Sequence, residues 1–357
     1  MRVLTVNTGS STVKLRVLDA GDDVLVSADP SAGEVGPAVA TLLADHRVDA
    51  VGHRVVHGGP KHVHPTPVDD AVLDDLRAVV QLAPLHQPAA LDAIDAVRRS
   101  APGLPAVACF DTAFHAGLPE AARTYALPAA WRARHDVRRY GFHGLSYAWA
   151  SRRVASMLGR DDLRLVVAHL GSGASLAAVR AGRPVDTTMG FTPLDGLVMA
   201  TRAGSVDPGL VLWLVEHGGL SAREVLQGLD RESGLLGLTG TKDMREVLVR
   251  EEAGDPDAVL GLETYLHRLV GSVAAMAAAL GGLDALVFTG GVGERAAELR
   301  ARAVQRLAFL GLHLDPSRNA GVEGDADVTR DGATARTLVV ASREDVEIAC
   351  GTRAALS

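Results

Sequence analysis

One sequence pattern occurs twice in this chain, and it constrains the fold more than any other feature. Residues 2–27 and 163–188 both follow the order apolar strand, Asn or His, Gly-Ser turn, second strand, small-residue hairpin, third strand. A repeat at this spacing indicates a duplicated fold rather than a solenoid, although two Gly-Ser hairpins can also align by chance. At 357 residues the chain exceeds what one hydrophobic core usually supports. We therefore predict two related domains.

The repeated turns also predict phosphate binding. The first, "NTGSST", carries more hydroxyl groups than a tight turn requires, and glycine lets the backbone approach a ligand closely. Two such hairpins, one in each domain, would hold a polyphosphate with backbone N–H groups and hydroxyls. The alternative is a pair of structural hairpins with local Ser and Thr hydrogen bonds.

Composition narrows the class of protein and of partner. A net charge of −7 argues against nucleic acid or an anionic membrane surface as a partner. Two cysteines, Cys109 and Cys350, are too few for a disulfide framework and fit a reducing cytoplasm. The N-terminus resembles mature structure rather than a signal peptide. The Ala-rich stretch 269–288 is interrupted by Asp284, so it predicts a buried helix, a turn and a strand rather than a membrane span.

Hydrophobic periodicity outlines the elements of the first domain. The opening predicts a meander of three strands rather than a strand-helix-strand unit. Helices are expected near 36–47, 69–82 and 88–99, and strands over 49–59 and 106–114.

Four histidines form a rival metal-binding pattern, HxxxH followed by HxH: His53, His57, His62 and His64. Zinc would need their nitrogens about 2 Å from one ion. In a strand His53 and His57 lie about 13 Å apart, so the spacing disfavours zinc.

Eight segments, in order, resemble the acetate kinase family, and together they cover nearly the whole chain. They are "NTGSSTVK" (7–14), "GHRVVHGG" (52–59), "LAPLHQP" (82–88), "FDTAFH" (110–115), "RRYGFHG" (138–144), "HLGSGAS" (169–175), "DTTMGFTPLDGLVMATRAGSVDP" (186–208) and "FTGGVGE" (288–294).

The resemblance implies an α/β, two-domain duplicated ribonuclease H-like fold of the actin, Hsp70 and sugar kinase type. Each domain would be a mixed sheet with β-hairpin phosphate loops, flanked by helices. The N-terminal domain would span 1–115 plus 346–357, and the C-terminal domain, with the adenosine site and dimer contacts, 116–345. The expected protein is a cytoplasmic homodimer that binds neither nucleic acid nor membrane.

The implied reaction is the reversible transfer of the γ-phosphoryl group of ATP to acetate, giving acetyl phosphate and ADP, with Mg²⁺ (or Mn²⁺). A carboxylate needs no general base, but it must approach an anionic phosphoryl group, so positive charge and in-line positioning do the catalysis. One alternative is a propionate or butyrate kinase of the same family. The other, from a different class, is an actin-like or Hsp70-like ATPase switch, which has no reason to carry Arg54, Arg202 and His143 together.

By resemblance Arg54 binds the acetate carboxylate, and Arg202 and His143 contact the transferring phosphoryl group. Arginine suits both tasks because its fork meets two oxygens. Taken singly, Arg54 would be a strand-end salt bridge, Arg202 a loop ion pair with Asp207, and His143 a structural loop residue.

Asp111 matches the family's essential aspartate. Our hypothesis is that Asp111, with Asn7 and Glu344, orders Mg²⁺ and its waters rather than moving a proton. From sequence, Glu344 is ambiguous with Asp345.

The remaining expected site residues divide between the nucleotide and the substrate. The nucleotide side comprises Ser10, Ser11, Thr12, Lys14, His169, Leu170, Gly171, Ser172, Gly173, Asp243, Met244, Arg245, Gly290, Gly291, Val292, Gly293, Glu294 and Arg295. The substrate side comprises Arg54, Val56, Leu85, His86, Phe142 and Pro193.

The chain departs from the family pattern at several places. Gln87, Ser172 and Arg295 stand where family members carry Asn, and Arg295 bears on nucleotide preference. The stretch before "GHRVVHGG" is short, which predicts that a strand or hairpin is missing from the first domain.

Overall fold

The computed structural model describes residues 1–9, 13–84 and 86–357, and these fall into two compact units. Unit 1 comprises Met1–Ala116, Phe142–Trp149 and Arg343–Ser357, and unit 2 comprises Gly117–Gly141 and Ala150–Ser342. The segment Phe142–Trp149, which the resemblance gives to the C-terminal domain, groups with unit 1. The domain boundaries given above stay a prediction.

Unit 1 is built on a mixed sheet of six strands. They are β1 (Val3–Thr8), β2 (Val13–Leu18), β3 (Val24–Ala28), β4 (Ala50–Val55), β5 (Thr66–Pro67) and β6 (Ala106–Phe110). Their order across the sheet is β3-β2-β1-β4-β6-β5. The first three strands form the expected antiparallel meander, β1, β4 and β6 run parallel, and β5 is antiparallel to β6.

Unit 2 is built on a second sheet of six strands. They are β7 (Arg164–Leu170), β8 (Ala174–Arg180), β9 (Arg183–Thr187), β10 (Ala285–Thr289), β11 (Ala326–Asp327) and β12 (Arg336–Val339). Their order is β9-β8-β7-β10-β12-β11, with β7, β10 and β12 parallel and the other neighbours antiparallel.

The two sheets repeat one plan strand for strand. Order and direction agree at all six positions, and the second and third strands shift register near the same point, at Val17/Leu18 and at Ala178/Val179. The predicted duplication is therefore confirmed. The short stretch before residue 52 predicted that a strand or hairpin is missing from the first domain. No strand of the shared plan is missing, because the first sheet has every strand that the second has.

Within the described residues, fifteen helices accompany the sheets. They are α1 (Val35–Asp45), α2 (Asp70–Ala78), α3 (Gln87–Ser100), α4 (Glu120–Arg123), α5 (Ala129–His135), α6 (Gly144–Leu158), α7 (Pro208–Glu216), α8 (Ala222–Arg231), α9 (Gly234–Thr239), α10 (Met244–Glu252), α11 (Pro256–Leu280), α12 (Gly290–Arg295), α13 (Ala297–Arg306), α14 (Pro316–Ala320) and α15 (Glu344–Ala355).

The sheet of unit 1 is covered on both faces because apolar residues occupy both sides of its strands. Leu4 and Val6 pack in one cluster with residues of α1 and α3, whereas Val3, whose side chain points the other way, packs against α15. Gly52 lets α15 approach β4, since a Cβ there would lie 2.3 Å from the Thr352 hydroxyl oxygen. This close packing fixes the position of the first residue of α15, Glu344.

The Ala-rich stretch forms the end of α11, a glycine turn and β10, as predicted. Asp255 caps the start of α11 by accepting from the N–H groups of Asp257 and Ala258, and Gly281 ends it in a left-handed conformation. In the part of the chain that is described, none of the helices has the length and apolarity needed to cross a bilayer.

Candidate active site

Polar side chains stand where the parallel strands of unit 1 end. Asn7 lies near the end of β1, Arg54 near the end of β4, and Asp111 directly follows β6. Ligands of open α/β sheets bind outside the carboxyl ends of parallel strands. The topology thus brings three of the predicted site residues to one edge of the sheet.

Arg54 and Asp111 form a forked, buried ion pair. Arg54 Nε donates to Asp111 Oδ1 over 2.9 Å and Nη2 to Oδ2 over 2.6 Å. The Asp111 side chain is 1% exposed and that of Arg54 14%. Two parallel charge-assisted hydrogen bonds fix the guanidinium plane as well as its position. Arg54 therefore does form the salt bridge at the strand end considered above, and the same ion pair holds it in the place expected for the residue that binds the substrate carboxylate.

Asn7 and Glu344 complete this cluster. Asn7 Nδ2 donates to Glu344 Oε2 over 2.8 Å, while Asn7 Oδ1 accepts from Arg54 Nη1 over 3.2 Å. Glu344 Oε2 itself lies 3.7 Å from Arg54 Nη1. Asp345 instead pairs with Arg343, so the structure favours Glu344 over Asp345 as the member of this site.

Burial and charge act against each other in the cluster. Burial raises the pKa of the Asp111 carboxyl, and the charge and hydrogen bonds of Arg54 oppose that rise. Burial also disfavours the charged form of Arg54, but Asp111 and Glu344 outweigh it and the pKa of Arg54 is raised. The fork geometry supports an ionised pair. Two carboxyl groups then face one guanidinium, an arrangement that favours binding of a further cation.

His143 is positioned by both the side chain and the backbone of Asp111. Its φ of 58° places it in the left-handed region, which few non-glycine residues adopt. The His143 N–H donates to the Asp111 carboxylate, and the Gly144 N–H donates to the Asp111 carbonyl over 2.9 Å. Gly144 is required there, since a Cβ would lie 2.2 Å from that carbonyl oxygen. The turn carrying His143 is thus attached to the strand end that carries Asp111.

Two of the four expected acyl-pocket residues lie in unit 1. Val56 and Phe142 are both buried, at 5% and 1% exposure. The edge of the His57 ring meets Phe142, with ring centroids 5.6 Å apart. Leu85 lies outside the described residues, and Pro193 belongs to unit 2.

Gln87 has a structural role that the sequence did not reveal. Its fully buried amide accepts from the His57 N–H over 3.2 Å and donates to the His57 carbonyl over 2.9 Å. The preceding residue, His86, occupies the N-cap position of α3. Gln87 therefore holds the backbone beside Val56 against the start of α3.

In unit 2, Arg202 is held by residues distant in sequence. Its Nε donates to Asp230 Oδ1 over 3.0 Å and its Nη1 to the Pro193 carbonyl over 3.4 Å. Asp207, the partner considered from sequence, instead caps α7 by accepting from the Gly209 N–H. Arg202 is 8% exposed, so its orientation is set by Asp230 and by the loop of Pro193.

The second Gly-Ser hairpin and the glycine-rich turn meet in unit 2. His169 and Leu170 end β7, and Gly171–Gly173 form the turn. Gly290, at φ 78°, approaches so closely that a Cβ would lie 2.9 Å from the Leu170 carbonyl oxygen. The Ala200 N–H donates to the Ser172 carbonyl over 3.1 Å. Hairpin, glycine turn and the loop of Arg202 are therefore neighbours.

The other nucleotide-side residues are more dispersed. Asp243 caps α10 and pairs with Arg245, whose hydrogen bonds lower the pKa of Asp243 to about 2. Met244 is buried. Glu294 accepts from the Ser342 N–H over 3.0 Å, and Arg295, next to it, is exposed.

The first hairpin is only partly described. Ser10, Ser11 and Thr12 lie outside the described residues, whereas Lys14 is exposed on β2 and pairs in register with Asn7. Lys14 is thus an exposed cation next to Asn7 in the sheet, and this position is compatible with the phosphate contact expected for Lys14.

The four histidines do not gather into a metal centre. Strand β4 ends at Val55, so His57 lies beyond it and the expected strand over 49–59 is shorter than predicted. His62 pairs with Asp75 over 3.2 Å. Over residues 1–9, 13–84 and 86–357, no three His, Cys, Asp or Glu side chains are arranged to bind a metal by themselves.

Comparison with known proteins agrees with this geometry. The model of the acetokinase family matches residues 38–350. An acetate kinase of Leifsonia xyli subsp. xyli is 46% identical over 387 residues, covering 97% of this chain and 97% of that protein. That alignment is 30 positions longer than the whole chain, which agrees with a shortened segment here.

Two solved structures share the fold over their full length. The crystal structure of Porphyromonas gingivalis acetate kinase superposes with a TM-score of 0.89 at 35% identity and covers 100% of both chains. A propionate kinase from Francisella tularensis subsp. tularensis superposes with a TM-score of 0.92 at 34% identity and covers 99% of both.

Proposed function

The chain belongs to the acetokinase family, and from that premise we propose that it transfers the γ-phosphoryl group of ATP to acetate. The products are acetyl phosphate and ADP, and the reaction is a reversible, direct in-line displacement onto a carboxyl acceptor. The observation that carries this proposal is Arg54, a buried guanidinium fixed at the strand ends by Asp111. A guanidinium in that place suits a carboxylate substrate.

Arg54 retains donors for the substrate. Of its five N–H groups, Nε and one each on Nη1 and Nη2 donate to Asp111 and Asn7. Among the described residues no hydrogen-bond acceptor takes the second N–H of Nη1 or of Nη2, and these two groups together match the two oxygens of an acetate carboxylate. Asp111 therefore orients the fork while the other side of the guanidinium binds the substrate.

Arg202 and His143 act on the transferring phosphoryl group. The charge that develops on its equatorial oxygens is stabilised by fixed positive groups. Arg202 is fixed by Asp230 and by the Pro193 carbonyl, and His143 by its strained turn on Asp111. Preorganised groups of this kind need little rearrangement during the reaction.

The nucleotide is bound by glycine-rich backbone and by hydroxyl groups. Ser172 and Gly173 offer N–H groups, and Ser172 a hydroxyl, to the phosphates of ATP or ADP, while the Gly171 N–H donates to the Gly173 carbonyl over 3.0 Å and shapes the turn. Gly290, the first residue of α12, lies close to the hairpin, and Gly290–Arg295 are proposed to bind the adenosine. Ser10, Ser11, Thr12 and Lys14 take the corresponding role in the first hairpin, and Asp243–Arg245 contact the ribose or base.

Mg²⁺ or Mn²⁺ is the proposed metal, and the residues present fit it. Asp111, Glu344 and Asn7 provide hard oxygen donors, and Mg²⁺ normally takes one or two carboxylates together with water and phosphate oxygens. When bound, the metal neutralises phosphate charge. Asp111 need not move a proton, because acetate, with a pKa of about 4 to 5, is already ionised at neutral pH.

Propionate is the second candidate acceptor, because the structure that superposes at 0.92 is that of a propionate kinase. Val56 and Phe142, both buried in unit 1, are the described residues of that unit proposed to contact the methyl group of the substrate. One methylene changes the free energy of binding in such a pocket by about 1 to 3 kcal/mol. We therefore expect acetate to be preferred and propionate to be a slower substrate.

Trapping the acyl phosphate with hydroxylamine tests the function directly. Purified protein is incubated with ATP, Mg²⁺ and acetate, propionate or butyrate, and the hydroxamate is measured. The proposal expects most product with acetate. A maximum with propionate or butyrate would reassign the substrate, and ATP hydrolysis without hydroxamate would indicate an ATPase switch.

Assembly and location complete the proposal. Helix α7 of unit 2 exposes Leu212 and Trp213, at 61% and 53%, and an exposed apolar face supports a homodimer. Cys109 and Cys350 are not joined by a disulfide bond, which fits the cytoplasm.

A further inference from the structure

The guanidinium of Arg139, in unit 2, is enclosed by backbone carbonyl groups. Its Nη1 lies 3.1, 3.1 and 2.9 Å from the carbonyl oxygens of Thr187, Thr188 and Met189. Three successive carbonyls meet one nitrogen only where the backbone curls around it. The charge is balanced by Asp195, whose Oδ2 lies 3.6 Å away. Arg139 thus fixes the chain as it leaves β9.

Tyr125 holds the next part of the same segment. Its ring lies against the guanidinium, with Arg139 Cζ 5.5 Å from the ring centroid. Its hydroxyl accepts from the Phe191 N–H over 2.9 Å. Gly190 makes this approach feasible, because a Cβ there would lie 2.3 Å from the hydroxyl oxygen. The two side chains together hold residues 187–191.

Two residues further on is Pro193, whose carbonyl accepts from Arg202 Nη1. We infer that Tyr125 and Arg139 are positioning residues for the acyl end of the active site, because the segment they hold sets the places of Pro193 and Arg202. The inference rests on the proposed roles of those two residues. No contact with the substrate is proposed for either positioning residue.

Tyr140 offers a matched control within the same cluster. Its ring also contacts Phe191, at 5.9 Å between centroids, but its hydroxyl lies 3.4 Å from Asp136 Oδ2. Replacing either tyrosine with phenylalanine removes one hydroxyl and keeps the ring. The Tyr125 variant removes a hydrogen bond to the 187–191 backbone, whereas the Tyr140 variant removes one to Asp136.

The test combines steady-state kinetics with amide hydrogen exchange. For Tyr125→Phe we expect the acetate KM to rise about fivefold, the loss of roughly one hydrogen bond, with an unchanged ATP KM and faster exchange in the peptide covering 188–196. Tyr140→Phe should leave the acetate KM, the ATP KM and the exchange rate of that peptide unchanged. Arg139→Met should raise the acetate KM more than Tyr125→Phe does, and Arg139→Lys should restore part of the loss because it keeps a charged donor.

The outcomes separate this inference from the proposed function. Equal changes in acetate and ATP KM, or exchange in Tyr125→Phe that matches Tyr140→Phe, would show that the two residues only stabilise the fold. A parent protein that forms no acyl phosphate would refute the proposed function instead. The exchange comparison would still decide whether Tyr125 holds the segment.

Discussion

The two sheets share one plan, but their equivalent strand ends differ in chemistry. Strand registers align Asn7, Arg54 and Asp111 of unit 1 with His169, Thr289 and Ser342 of unit 2. Unit 1 thus has a buried ion pair where unit 2 has small hydroxyl side chains next to glycine. In the proposed function, one scaffold therefore serves two anion-binding tasks, with charged side chains in one copy and backbone N–H groups in the other.

The connections between equivalent strands differ as well. In unit 1 the link from β3 to β4 has 21 residues, 29–49, and in unit 2 the link from β9 to β10 has 97, 188–284. The longer link carries Pro193, Arg202 and Asp243. Unit 2 therefore carries these side chains in a long connection, whereas unit 1 carries Asn7 and Arg54 on strands and Asp111 directly after one.

Exchanging the strand-end residues tests the comparison most severely. The double variant Arg54→Thr/Asp111→Ser gives unit 1 the residues of unit 2. We expect acyl phosphate formation to fall by about 10³-fold or more, because fixed charge at the reacting group is lost. The hydroxamate assay measures this loss. Activity at the parental level would show that the buried ion pair has no part in the reaction.

Stability separates this effect from misfolding. Arg54→Thr alone leaves the Asp111 carboxylate buried without its cation and should cost about 3 to 5 kcal/mol, whereas the double variant should unfold closer to the parent in a denaturant titration. Arg16→Thr/Asp29→Ser serves as the control, because it removes a more exposed ion pair between β2 and the residue that follows β3. It should retain full activity.

Asp111→Asn keeps the shape of the side chain and removes its charge. If Asp111 orients Arg54 and helps to hold the metal, we expect the Mg²⁺ concentration for half-maximal activity to rise about 10- to 100-fold, with the pH profile unchanged in shape. Metal titrations at several pH values measure both. A lost basic limb with an unaltered Mg²⁺ requirement would instead identify Asp111 as an acid or base. Asp207→Asn, at the cap of α7, is the control.

The sequence predicted the duplicated meander because strand alternation and glycine turns are local signals. The assignments of Arg54, Asp111 and Glu344 came from family resemblance, and the structure then brought these three together. The predicted extent of β4, 49–59, was wrong, because the strand ends at Val55. Beyond it the chain leaves the sheet and packs on the fully buried amide of Gln87. That contact joins residues 30 positions apart, so no local pattern reveals it.

The sequence also did not identify the ion-pair partner of Arg202. Asp207 is five residues away, but its carboxylate is used as a helix cap, and Asp230 reaches Arg202 because α8 packs beside the loop. Tyr125 and Arg139 are similar cases, because each acts on backbone about fifty residues or more further along. Contacts between side chains and distant backbone carry no composition or spacing signal.

The comparison extends to one buried position that is polar in unit 1 alone. His53 on β4 is aligned by register with Phe288 on β10. It is 1% exposed, neither ring nitrogen has a hydrogen-bond partner among residues 1–9, 13–84 and 86–357, and burial lowers the pKa of His53 to about 3. The folded protein therefore keeps this imidazole neutral where an unfolded chain would protonate it, at a pKa of about 6.5.

This difference predicts an acid sensitivity that His53→Phe should remove. Between pH 6.5 and 3 the unfolded state binds one more proton at this site, so stability falls as the pH falls, by about 1.4 kcal/mol per unit. At pH 5 the parent should have lost about 2 kcal/mol through His53 relative to pH 7. Urea unfolding of both proteins at pH 7 and pH 5 isolates the contribution of His53 to this pH dependence. A packing change caused by the larger ring alters the free energy of unfolding equally at both pH values. Identical pH dependence in the two proteins would mean that His53 is protonated or hydrated in the folded state.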